Sequence, residues 1–329
     1  MPSKSKAIVA VGLGAVVLAA VIGWFSFRDR AARQTTRVGV FLYAQQPIIK
    51  EIYAGFRQQL DKEAAATGRT IEYVERNADG EAAQTTAIAG YFRSADVDAI
   101  FVVGQPAAQA LKSAAVQRPV VFAGPPDPVG AGLVPRLASH GTNFTGAKYF
   151  PNVDAILGVF KDAYPQASRL AVLHNPGEAN SMAVTRAFLE GAQRRDFTVR
   201  DMGASNGTEL EANLRALYID RVDALFLPND TLVYSSLDRV MAQAKSLELP
   251  VFSCTKLSVE KGAAFAIATD YSRLGELAAS MAARIVIGGE HVQAIDVLDV
   301  QEGHLYVKKD AAVAGRIKTI PGYDVVSVP

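Results

Sequence analysis

From residue 37 onward, short apolar runs of strand length alternate with longer stretches whose apolar positions recur at helical spacing. RVGVFLYA (37–44) reads as a strand. PIIKEIYAGFRQQLDKEAAATG follows, with Ile49, Ile52, Tyr53, Phe56 and Leu60 on one helical face and Gly68 closing it. TIEYVERN then reads as a strand, EAAQTTAIAGYFRSA as a helix, VDAIFVVG as a strand, PAAQALKSAAVQ as a helix and PVVFAG as a strand. Such alternation predicts βαβ units and a parallel sheet with helices on both faces. The near-continuous apolar strands fit a sheet buried on both sides.

A loop-rich passage (124–151) interrupts the pattern, which then starts again. RLAVLHN (169–175) reads as a strand, EANSMAVTRAFLEGAQRR as a helix, FTVRDMG as a strand and ELEANLRALYID as a helix. VDALFLP is the next strand, LVYSSLDRVMAQAKSLE a single helix and PVFSCT a strand. The halves match element for element: RVGVFLY with RLAVLHN, VDAIFVVGQ with VDALFLPND, and PVVFAG with PVFSCT, at offsets of about 130 residues. One α/β lobe is written twice, and two like lobes predict a cleft between them. Ligands of open parallel sheets sit beyond the carboxyl ends of the strands. The polar residues there are Gln45 and Gln46, Gln105, Asp127, Asn175 through Ser181, Asp230, Thr255 and Lys256, and Asp270 with Tyr271.

Charge changes this picture little over most of the chain. Of 329 residues, 34 are basic and 33 acidic, for a net charge of +1. Nucleic acid is an unsuitable partner, because phosphate binding needs a basic patch or stripe. The N-terminus differs. The stretch AIVAVGLGAVVLAAVIGWFSF (7–27) carries no charge and as a helix spans a ~30 Å hydrocarbon layer. It reads as an uncleaved anchor with Trp24 and Phe25 near its end, or as a cleaved signal peptide. Lys4 and Lys6 on one side and Arg28, Arg30 and Arg33 on the other leave its orientation open. Cys254 is the single cysteine, so no intrachain disulfide forms, and it reads as a buried small hydrophobe.

The chemistry of catalysis is sparse. No G-x-S-x-G or G-x-x-x-x-G-K-[ST] occurs, and GLGAVV falls inside the apolar N-terminal segment rather than after a strand. His140, His174, His291 and His304 lack ligand spacing, so neither a metal nor a cofactor is expected. Nothing local makes Asp230 and Asp270 an acid/base pair. A binding protein fits better than an enzyme. HNPGEANS (174–181) is the most informative passage: it leaves a strand, turns at Pro176-Gly177 and begins a helix near Asn180 or Ser181. The first N–H groups of that helix lack internal partners and can hold a carboxylate, with Asn180 and Ser181 adding donors, or those side chains can cap the helix.

Five motifs in order, FAGPPDPVGAGLV (122–134), NFTG (143–146), NPGEANS (175–181), LPNDT (227–231) and ATDYSRLGELAA (268–279), resemble the ABC-transporter substrate-binding proteins of the type I periplasmic-binding-protein fold, in the branch linked to aromatic amino acid uptake. The resemblance runs from about Arg37 to Gly289. It implies two doubly wound α/β lobes joined by three crossovers, near 143–150, at or just after Tyr271, and near 291–296. The lobes would be 37–147 plus 271–292 and 148–270 plus 293–329, after an anchor or signal segment and linker at 1–36. It implies that Asn180 and Ser181 hold a ligand carboxylate and that Asp230 and Asp270 suit its ammonium. Gln46, Gln105, Asp127 and Tyr271 complete the expected ligand-binding set. Gln45-Gln46-Pro47 stands where the family often has Glu-His-Pro, Gln105 where a Thr usually precedes Pro-Ala-Ala, and Pro125-Pro126 where Val-Thr precedes Asp-Pro. These departures face the ligand's side chain and leave its identity open. The expected function is an extracytoplasmic, membrane-tethered monomer that hands a small amino-acid-like ligand to an ABC permease. The alternative is an anchored sensing module that signals to a partner membrane protein.

Overall fold

The computed structural model describes residues 35–139, 141–301, 303–309, 316–317, 321 and 323–329. The apolar segment 7–27 and His140 lie outside the described residues. Among the described residues, no helix is long and apolar enough to cross a membrane.

The first half runs β1 (Thr35–Leu42), α1 (Pro47–Ala66), β2 (Thr70–Asn77), α2 (Ala82–Ser94), β3 (Ala99–Val103), α3 (Gln105–Ser113), β4 (Val120–Ala123) and β5 (Phe144–Tyr149). The second runs α4 (Val153–Ala163), β6 (Arg169–His174), α5 (Ala179–Gln193), β7 (Thr198–Gly203), α6 (Gly207–Asp220), β8 (Ala224–Leu227), α7 (Thr231–Ser235), α8 (Leu237–Ser246), β9 (Val251–Ser253), α9 (Lys256–Glu260) and β10 (Phe265–Ala268). α10 (Tyr271–Val286) follows, then a 3₁₀ turn at Val292–Ala294 and the strands β11 (Leu298–Val300), β12 (His304–Lys308) and β13 (Asp324–Val328).

The strands form two sheets. Their orders are β11-β5-β4-β3-β1-β2 and β13-β12-β10-β9-β8-β6-β7. Strand for strand, β5-β4-β3-β1-β2 repeats as β10-β9-β8-β6-β7, so the repeat read from the sequence is a repeat of topology. Each sheet is covered on both faces. In the first, Val38, Val40, Phe101 and Val121 pack under α1 and α10, while Phe41, Ile100, Val102 and Phe122 pack under α2 and α3. In the second, Leu170, Val172, Phe226 and Phe252 face α4 and α5, and Ala171, Leu173, Leu225 and Leu227 face α6, α7 and α8. Central strands such as β3 and β8 are buried along their whole length, whereas the edge strands β2 and β7 are largely exposed, as burial on both faces of only the interior strands requires.

Four features depart from the sequence reading. β5 lies inside the passage that reads as loop. The stretch read as one helix from Leu232 divides at Ser236 into α7 and α8, because Ser236 leaves the helical region at φ −114° and ψ 14°. The short helix α9 and the C-terminal strands have no counterpart in that reading. β11 pairs in parallel with β5 of the first sheet, and β12 pairs antiparallel with β10 of the second. The last change of sheet therefore falls between Val300 and His304, later than the expected 291–296.

α10 returns to the first sheet and lies directly on α1. Backbone meets backbone there: a Cβ on Gly275 would stand 1.9 Å from the Ile52 carbonyl oxygen, and one on Gly55 would stand 2.1 Å from that of Ser272. Residues 271–286, though they follow the second sheet in sequence, are thereby fixed to the first lobe.

Candidate functional site

A cavity of about 770 Å³, counting its mouth, opens at the carboxyl ends of both sheets' strands. The first lobe contributes Tyr43 and Gln46 after β1, Ile48, Ile49 and Ile52 on α1, Gly104, Gln105 and Pro106 after β3, and Gly124, Pro125 and Pro126 after β4. The second contributes Asn180 and Val184 on α5, and Asn229 and Thr231 after β8. Tyr149, Pro151 and Tyr271 line it where the chain passes between the lobes. The Gln46 amide donates to the Thr231 carbonyl oxygen at 3.2 Å, a direct bridge from one lobe to the other.

None of these lining side chains is a carboxylate or a cation. The first-lobe wall is mainly aliphatic, proline and tyrosine. Its shape depends on Gly104, which has φ +102° and whose absent Cβ would stand 2.5 Å from that of Tyr43. Gln105 begins α3 and is 7% exposed, and its Oε1 has no hydrogen-bond partner. A buried acceptor left this way costs free energy unless a ligand donor meets it.

The second-lobe wall is polar and is organised around helix starts. α7 and α4, and α10 where the chain returns to the first lobe, are each capped by a side chain: Asp230 accepts from the Val233 N–H at 2.9 Å, Asn152 from the Ala155 N–H at 3.0 Å, and Asp270 from the Arg273 N–H at 3.1 Å. α5, like α1, α3, α8 and α9, has no side-chain cap: its N-cap residue is Glu178. Both Glu178 oxygens instead accept from the Thr231 N–H, at 3.1 and 3.0 Å. The first turn of α5 thus keeps donors and the positive end of its dipole at the cavity, beside Asn180. Asn180 donates to the Asn229 carbonyl oxygen at 3.1 Å, and the Ser181 Oγ is fully buried without a partner.

Of the residues expected to bind ligand, the structure brings Gln46, Gln105, Asn180 and Tyr271 together on the cavity. Ser181 lies one residue behind Asn180. Asp230 is fully buried, and its second oxygen accepts from the Asn175 N–H, which ties the turn after β6 to the start of α7. Asp270 and Asp127 are exposed; Asp127 accepts from the Gly130 N–H at 2.8 Å. These three carboxylates cap helices or turns and do not line the cavity.

Glu178 escapes a sequence reading because an acid in a turn ordinarily points to water. Here it is 8% exposed, and burial, with the neighbouring Asp230 charge second, pushes its carboxyl up to about 7. Asn229 and Thr231, within LPNDT, and the Ile48, Ile49 and Ile52 face also join the site. Tyr149 and Tyr271 meet edge to face, with ring centroids 6.4 Å apart. Cys254 is buried, and burial raises its thiol to about 12, so it is an inert part of the core. Among the described residues, no cluster of His, Cys, Asp and Glu has the arrangement of a metal site.

Comparison with known proteins follows the same outline. A family model described as ABC transporter substrate binding protein matches residues 37–321. A tyrosine-binding protein of Clostridioides difficile strain R20291 is 27% identical over 283 residues, covering 86% of this chain and 81% of the relative. The crystal structure of a conserved domain protein from Vibrio cholerae O1 biovar El Tor superposes with a TM-score of 0.80 at 26% identity, covering 89% of this chain and 99% of the other. A Streptococcus pneumoniae ABC domain solved in complex with L-Trp gives a TM-score of 0.77 at 23% identity, over 88% and 100%, a likeness of fold.

Proposed function

The chain belongs to the ABC transporter substrate-binding proteins, and from that premise we propose that it captures a small zwitterion, an amino acid with an aromatic side chain, in the cavity between its lobes for an ABC importer. The observation that carries this reading is the contrast of the two walls: on the second lobe Asn180, Asn229 and Thr231 stand at the uncapped start of α5, and they face a first-lobe wall of isoleucines, prolines and tyrosine with the buried Gln105 amide, where the starts of α1 and α3 also carry no side-chain cap. The uncapped α5 start suits the ligand's carboxylate, with Asn180 as an additional donor. Ile48, Ile49, Ile52 and the Pro125-Pro126 pair suit an aromatic ring. The tyrosine-binding relative supports the amino-acid class.

Binding on this reading works by closure. Each lobe supplies half of the ligand's partners, so a ligand held by both favours the closed arrangement over the open one by its differential contacts. The Gln46 to Thr231 bridge is a contact of that closed arrangement. The lobes are taken as 37–147 plus 271–292 and 148–270 plus 293–329, with β11 as a strand lent back to the first sheet. Residues 7–27 would tether the protein on the extracytoplasmic side, next to the permease it serves, as a monomer.

Titration calorimetry of the protein with L-tyrosine, L-tryptophan and L-phenylalanine, alongside their desamino and ester analogues, tests the proposal. The expected result is saturable binding of free amino acids, weakened in the analogues that lack either charged end. Absence of binding for every amphoteric solute would refute it.

A further inference from the structure

Thr231, the first residue of α7 and part of the cavity wall, is held through both of its peptide groups. Both Glu178 oxygens accept from its N–H, at 3.1 and 3.0 Å, and its carbonyl oxygen accepts from the Gln46 amide at 3.2 Å. Glu178 belongs to the second lobe and Gln46 to the first. Each stands at the N-cap position of its own helix, α5 and α1 respectively, and neither side chain caps that helix. Two helix starts from opposite sides of the cleft thus converge on one residue.

Both ends of the Gln46 bridge are stiff. Gln46 precedes Pro47, which keeps its backbone out of the helical region, at φ −71° and ψ 149°. The Gln46 carbonyl oxygen accepts from the Lys50 N–H at 3.0 Å, so its backbone joins the first turn of α1 while its side chain reaches across. α1 in turn is fixed to the first lobe by its close backbone contact with α10. On the other side, the Asp230 cap on the Val233 N–H and the Glu178 bonds hold Thr231 in the second lobe. Pro47 also borders a groove with Tyr234, Ser235 and Leu237 of the second lobe, so the meeting of the lobes continues along this rim.

We propose that Gln46 is the latch of the closed arrangement, a positioning residue that sets how long a ligand stays and does not read which ligand it is. The inference rests on the reading of the cavity as a ligand site closed by the two lobes. The Gln46 N–H is already committed to a protein acceptor, so its loss changes the closing equilibrium and leaves the ligand's own partners in place. A ligand escapes only from an opened molecule. A weaker latch therefore raises the dissociation rate in proportion, while capture by the open molecule is untouched. The bond contains no ligand atom, so the factor is the same for every ligand, and the bond acts in closed molecules with or without one. For one neutral hydrogen bond at a partly exposed rim that factor is about two- to tenfold.

The test is stopped-flow displacement of L-tyrosine, L-phenylalanine and L-tryptophan from the full chain, with small-angle scattering of the ligand-free protein beside it. Gln46→Ala should speed dissociation of all three amino acids by one common factor of about two- to tenfold, leave their association rates unchanged, and expand the ligand-free protein. Gln46→Glu, equal in size but without the N–H donor, should release L-tyrosine at least as fast as Gln46→Ala does. Wild-type dissociation in either variant would overturn the inference, as would a factor in Gln46→Ala that differs between the three amino acids, which would place Gln46 on the ligand. Unchanged scattering in Gln46→Ala would overturn it as well. If none of the three amino acids binds the wild type, the amino-acid reading fails, and the scattering comparison decides the latch alone.

Discussion

The two walls of the cavity come from the same repeated unit and do opposite work. On the first lobe, the loops after β1, β3 and β4 present Gln46, Gln105 and the Pro125-Pro126 pair beside three isoleucines. On the second, the equivalent loops present Asn180, Asn229 and Thr231, with Glu178 and Asp230 behind them. VDAIFVVGQ and VDALFLPND are the clearest pair. Gln105 opens α3, a helix with no side-chain cap, and its buried amide oxygen has no partner in either lobe; Asp230 turns inward to cap α7. The strand is the frame in both, and the residue at its tip decides whether the loop is committed to its own lobe or left for a ligand.

The comparison predicts that Asp230 and its neighbours differ in what they break. Asp230→Ala strips acceptors from the buried N–H groups of Val233 and Asn175 and should cost about 3–5 kcal/mol of stability, read by urea or thermal unfolding. Affinity loss in a variant of full stability would mean that Asp230 touches ligand directly.

Glu178 comes next. Its folded-state pKa is raised from 4.5 to about 7, so its contribution to stability is fully present below about 4.5 and is lost as pH rises through about 7. That loss is at most about 3 kcal/mol. Glu178→Gln does not titrate there, so without ligand its melting temperature should gain on that of the wild type between pH 5 and pH 8. A constant difference across that range would remove Glu178 from the buried, charge-stressed position described.

Asn180→Ala tests the polar wall by affinity. Losing a donor to a carboxylate should weaken amino-acid binding by about 1.5–3 kcal/mol, with unfolding little changed. Gln105→Leu tests the apolar wall and has the smallest expected effect. It should shift selectivity from L-tyrosine toward L-phenylalanine by about 1 kcal/mol, because the ring's donor loses its acceptor. An unchanged ratio of the two affinities would show that Gln105 does not read the ring.

Most of the frame was legible because buried parallel strands are written as unbroken apolar runs. AIFVV and ALFL could be little else, and their shared Val-Asp-Ala lead-in exposed the repeat. β5 was hidden by its composition: FTGAKY is buried, but Thr145 satisfies its hydroxyl on the Ile295 carbonyl oxygen at 2.7 Å, and Gly146 fits where a Cβ would strike the Phe122 carbonyl oxygen. The return of β11 to the first sheet is a long-range pairing that no local pattern encodes. At the site, an aspartate before a helix reads equally as a cap or as a ligand group, and only the partners of Asp230 and Asp270 separate the two. Asn180, Gln105, Gln46 and Tyr271 were found by their place at strand ends and helix starts. Glu178 lies in the same strand-end stretch, but nothing local singles it out, since its burial depends on Thr231 and Asp230 from a loop some fifty residues away.

The central claim is that the ligand spans the two unlike walls, and a crystal structure of the protein grown with L-tyrosine tests it most directly. The account predicts the amino acid in the cavity with its carboxylate at the start of α5 beside Asn180, its ammonium on the Thr231 side near Glu178, and its ring against Ile52 and the Pro125-Pro126 pair. A ligand bound with its charged end toward the isoleucines, or bound outside the cavity, would contradict it.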